Sequence, residues 1–139
     1  MINNVSQPYF PGDIGLTRAV AQGSCGLGIV NHYYIARMLA GVNGNNDRRL
    51  AMKVQVITPN PAHVNVSAGG IAKYAKNKKE AAELLEYLAS PDGSRGLAGP
   101  TFEHPLIGSN QSKEVRKFGP FRPDGVTIGQ LGKFNAKAI

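Results

Sequence analysis

A short apolar run at 27–30 ends at Asn31, and the next apolar residues, Ile35, Met38 and Leu39, recur at helical spacing. Such a change of period predicts a buried strand feeding directly into a helix. Asn31 is the natural N-cap, so His32, Tyr33 and Tyr34 fall in the first helical turn. Unpaired backbone N–H groups and the positive end of the helix dipole gather there, which favours negative charge nearby. Two phenols so placed are expected to ionise more readily than free tyrosine. A phenolate is a hard oxygen donor suited to a hard cation such as ferric iron, and binding releases its proton. Adjacent tyrosines after a strand also serve as packing and hydrogen-bonding residues, and spacing alone favours that second role.

The 139 residues suffice for one domain with a real core and are few for two. Sixteen Lys and Arg against nine Asp and Glu give a formal charge of +7, a balance that raises nucleic acid, anionic membrane or an acidic ligand as partners. The cations are spread, however, with Lys73, Lys76, Lys78 and Lys79 in one group and Lys113, Arg116 and Lys117 in another, each beside acids or on a solvated helix face. There is no aromatic-rich RNA-binding stretch and no zinc-finger spacing, so no nucleic-acid partner is expected. Cys25 is the single cysteine and reads as a small buried hydrophobe. No apolar run approaches the length of a membrane span. The opening MINNVSQ lacks the basic and apolar regions of a secretory signal, so none is expected in this sequence.

Along the chain, 1–11 reads as an irregular lead-in. Asp13 is placed to cap a helix that runs to Gly23, and Asp47 to cap a brief helix over 48–53. Short strands are predicted over 54–57 and 63–67, the latter with Val64 and Val66 on one face and His63, Asn65 and Ser67 on the other. Asn77, with Glu80 in capping-box position, starts a helix whose apolar face is Ala81, Leu84, Leu85 and Leu88. Ser90 and Pro91 restart a second helix, and Thr127 caps a last one with Ile128, Leu131 and Phe134 inward. The stretch 113–118 is compatible with either extended chain or a helical turn. His63 and His104 read as structural residues rather than ligands. None of the three histidines has a nucleophile motif beside it, and the glycines of GSCGLG precede a strand rather than follow one, so an enzyme is not expected.

The segment 25–37, CGLGIVNHYYIAR, resembles the pattern GECD-[IVL]-A-[LIV]-x-N-x-YY-x-[GA]-R of the periplasmic ferric-ion-binding proteins, the substrate-binding components of bacterial iron ABC transporters. Upstream, GDIGLTRAVAQGSC is similar to the family's G-[NG]-D-x-x-Q-[IV]-R-A-[VI]-A-x-GEC. Gly12 stands where many members carry an anion-contacting asparagine, and Gly26 where an acid usually follows the cysteine. Downstream, HVNVSAGGIAK, the run 77–90, TFEHPL and FRPDGVTIGQLGKFNAKAI follow the family's motifs in order, so the likeness spans 12–139.

What the resemblance implies is an α/β chain with a partial type II periplasmic-binding-protein fold, the carboxy-terminal portion with incomplete lobes. Carried over residue by residue, Tyr33 and Tyr34 match the two tyrosine ligands of Fe(3+), and Asn31 matches a residue near a synergistic anion. The partners implied are the ferric ion, an ABC transporter permease and a chain carrying the amino-terminal lobe, in a periplasmic setting. Unpaired strand edges and exposed apolar faces are expected of such a portion. The competing readings are a binding-protein fragment that has lost transport function and a basic nucleic-acid-binding module, the latter marked by steep salt dependence.

Overall fold

The computed structural model describes residues 5, 9–107 and 111–135, without the side chains of 134 and 135, so most of the lead-in at 1–11 and the inward placement of Phe134 lie outside the described residues. Helices carry the architecture: α1 (Asp13–Ala21), α2 (His32–Ala40), α3 (Asn45–Ala51), α4 (Lys78–Ala89), α5 (Pro91–Thr101), α6 (Lys113–Arg116) and α7 (Ile128–Asn135). None of the described helices is long and apolar enough to cross a membrane.

The first three helices pack on one another, α6 lies against α2, and α4 and α5 form a hairpin. Asn31 is the N-cap of α2, as the change of period predicts, but its side chain makes no capping bond within the helix. At the other end Gly41 turns left-handed at φ 82, which a residue with a Cβ resists, and the N–H groups of Gly41 and Val42 return to Met38 and Arg37. The buried face of α2 is Ile35, Ala36 and Met38. Ala36 joins Phe102 and Val115 in the core, with Tyr33 and Phe118 packed against them.

Two caps fall elsewhere than the sequence predicts. Gly12 caps α1, and Asp13 is the first helical residue, its carboxylate reaching out of the helix rather than back along it. Gly44 caps α3, which starts at Asn45, and Asp47 is buried inside it, bonded twice by Arg18 of α1 at 2.8 Å. A carboxylate with a guanidinium across the helix interface gains more there than from two backbone N–H groups at a helix end. The α4–α5 turn follows expectation: Pro91 opens α5 and Ser90 Oγ accepts from Gly93 N–H at 3.2 Å. Gly93 is required there, because a Cβ would collide with the backbone of Tyr87 and Leu88.

The predicted strands do not form ladders. Among the described residues the β pairing is one isolated parallel bridge, Ala62 with Pro123, closed by hydrogen bonds of 2.8 Å on either side. The run 27–30 is not buried as predicted, since Leu27 and Ile29 are each 73% exposed. A strand is completed only by a neighbour, and no described segment lies alongside to supply one. The apolar face of α4 is likewise only partly covered, with Leu84 exposed, and Ile128 of α7 faces outward. The stretch 113–118 resolves as α6 followed by a turn, with Ser112 as its cap.

Candidate metal site

Helix α2 presents Tyr33 and Tyr34 side by side in its first turn, their ring centroids 4.5 Å apart at an angle of 38°. The ring of Tyr33 serves both roles weighed for it. It packs on the Ala36–Phe102–Val115 core and also lines an open cavity of ≈ 300 Å³ with Arg37, Thr101, Phe102 and Glu103. Phe102 ends α5 at φ 62, a left-handed conformation worth about 1 kcal/mol of strain, kept because its side chain is buried. That turn delivers the next residue, Glu103, to the cavity, where Ser67 Oγ donates to its carboxylate at 3.1 and 3.2 Å.

Asn31 sits immediately before the tyrosines, half-buried. Its backbone N–H and its Nδ2 both donate to Oδ2 of Asp13, at 2.9 and 3.0 Å. Helix α1 therefore places a negative charge at the positive end of α2, the electrostatic match that a helix N-terminus favours. Neither Asp13 nor Glu103 is marked as part of this site by spacing, because each reaches it from a different helix across the fold. In hindsight the one signal is compositional, since both are acids among few.

The electrostatics correct the expectation that helix position eases ionisation. The Tyr33 phenol is held above its ordinary value, first by its hydrogen bond to Tyr34, then by burial and by the negative charges of Tyr34, Asp13 and Glu103. Those carboxylates and the shared proton outweigh the helix dipole. A cation must therefore supply the driving force to expel that proton.

The histidines stand beside the site rather than in it. His32 packs against His104 with centroids 4.9 Å apart, and burial, reinforced by His104, pushes the His32 imidazole below its usual value. His104 is also lowered by burial, and its Nδ1 lies 2.9 Å from Gln111 Nε2. His63 pairs with Asp124 at 2.8 Å, away from the tyrosines, which agrees with its reading as a hydrogen-bonding residue. Cys25 is buried and free. Among the described residues no group of three or more His, Cys, Asp or Glu is placed to hold a metal, so donors here would have to include the phenols.

No family model matches the chain. It is 31% identical to Iron uptake protein A1 of Synechocystis sp. (strain ATCC 27184 / PCC 6803 / Kazusa) over 142 residues, covering 99% of this chain and 39% of that protein. Iron uptake protein A2 of the same organism is 30% identical over 141 residues, covering 96% of this chain and 40% of that protein. Among solved structures, the Bordetella ferric binding protein matches with a TM-score of 0.86 at 29% identity, over 97% of this chain and 44% of that one. The chain thus spans about two fifths of the length of the relatives it matches. These comparisons and the motifs around Tyr33 and Tyr34 lead to the same group of proteins.

Proposed function

We infer that this chain, akin over nearly its whole described length to part of the iron uptake and ferric binding proteins, belongs with the ferric-ion-binding proteins and takes Fe(3+) as its cargo. Its part is binding without catalysis, as a portion of the substrate-binding component of an iron ABC transporter, handing the ion to a permease from the periplasmic side. The architecture at 12–139 is then part of a type II periplasmic-binding-protein fold. Tyr33 and Tyr34 are the metal ligands, and Asn31 holds an anion beside them.

The observation that carries this reading is the pair of stacked phenols at the head of α2, one of them on the wall of an open cavity. Ferric iron is small and highly charged, and phenolate oxygens satisfy it better than nitrogen or sulfur donors. Two ligands leave most of its coordination shell to be filled. The remaining donors come from outside the described residues, from polypeptide equivalent to the part of the relatives that this chain does not span.

Ferric titration tests the reading. A phenolate-to-iron charge-transfer band should rise in the visible and be absent from the Tyr33→Phe, Tyr34→Phe double variant. A wild-type chain that stays colourless at saturating iron, with bicarbonate or phosphate supplied, removes the assignment.

A further inference from the structure

Asn31 is the residue that the family motif sets beside an anion, and both of its donors are already engaged by Oδ2 of Asp13. The residue before Asp13 is Gly12, where many members of the resembled family carry an asparagine that touches the anion. A Cβ added at Gly12 would meet nothing within 4 Å, so the place is spacious but carries no side-chain donor. One donor set is thus occupied from within and the other is missing. Glu103 adds a second carboxylate on the cavity wall next to Tyr33.

We propose that the Asp13 carboxylate is the built-in anion of this site, so that ferric iron binds here without added carbonate or phosphate. The inference rests on the ferric reading above. Charge counting favours it: three positive charges on the ion are balanced by two phenolates and one carboxylate. A further small anion would enter the same space against Asp13 and Glu103, with no free donor on Asn31 to receive it. Asp13 also holds the first turn of α2 through Asn31, so it positions the tyrosines as well as balancing the charge.

The test uses the full chain and ferrous chloride oxidised in carbonate-free air, with the visible band followed with and without inorganic phosphate or bicarbonate. Wild-type protein should give the same band in both, its apparent affinity changing by less than about twofold. Asp13→Ala frees the Asn31 donors and removes the charge. Its band should be weak alone and strengthened about tenfold by either anion, as charge-assisted bonds form at the vacated donors. Asp13→Asn can still accept both Asn31 bonds through its amide oxygen, which keeps the fold contact, and should share the need for an added anion. In the metal-free state, phosphorus NMR of inorganic phosphate should show line broadening with Asp13→Ala and none with wild type. A wild-type band that forms only with added anion, or Asp13 variants whose band ignores anions, overturns the proposal and leaves the ferric reading standing. No band in any condition removes both.

Discussion

Tyr33 is where packing and chemistry compete within one side chain. Its ring belongs to the core cluster and its hydroxyl to the cavity, and its proton is held by Tyr34 and two nearby carboxylates. Replacing Tyr34 with Phe removes the leading cause of the shift, so the Tyr33 titration should fall back toward the ordinary value of 10.0. Difference ultraviolet absorbance between the Tyr34→Phe protein and the Tyr33→Phe, Tyr34→Phe protein reads that midpoint. Because the folded value lies above the unfolded one, the stability this group contributes is complete below the free-tyrosine value and is lost as pH rises through the folded one. Iron loading has the opposite dependence: the metal competes with a proton, so apparent affinity should increase with pH. The location of the phenols was legible in the sequence, since a cap followed by a turn needs only local information. Their ionisation was not, because Asp13 and Glu103 act through space.

At the scale of elements, two contacts decide how the helices meet. Arg18 and Asp47 join α1 to α3, and the guanidinium holds the Asp47 carboxyl below the usual carboxylate range. Its stabilising effect is present above the unfolded carboxylate value and is lost as pH falls through the folded one. Asp47→Asn should accordingly lower Tm at neutral pH, and the difference from wild type should vanish in acid, as thermal melts followed by circular dichroism would record. Between α4 and α5, Gly93→Ala must force the helices apart, whereas Gly96→Ala in the same helix α5 meets nothing within 4 Å. The first should collapse cooperative melting of the hairpin. The second should stabilise by up to about 1 kcal/mol, the propensity difference between glycine and alanine. The α4–α5 turn was readable because Ser-Pro is a local signal. Asp47 was misplaced as a cap because a carboxylate at a helix start and one in a buried pair look alike until the partner helix is known.

The whole molecule is a set of well-packed helices with unfinished edges. Leu27 and Ile29 are each 73% exposed and Ile57 70%, all on segments that hold no ladder. Apolar side chains on unpaired backbone attract further chain, whether another copy or the polypeptide that completes the fold in relatives. At rising concentration the isolated chain should self-associate in light scattering and bind an apolar dye. A Leu27→Lys, Ile29→Lys variant should do neither while keeping its helical circular dichroism. If the double variant associates as strongly as wild type, these residues are not the adhesive surface.

What the sequence determined by itself was local: the start of α2 at Asn31, its end at Gly41, the Ser90–Pro91 restart and the adjacency of two phenols, all set by backbone rules acting within one turn of chain. Its motifs also carried the kinship with iron carriers. Tertiary structure alone decided that Asp13 occupies the donors of Asn31, that Glu103 reaches the cavity of Tyr33, and that the apolar run at 27–30 lies open instead of buried. Hydrogen bonds, charge and strand pairing between residues distant in the chain depend on which surfaces meet, and no local pattern records that.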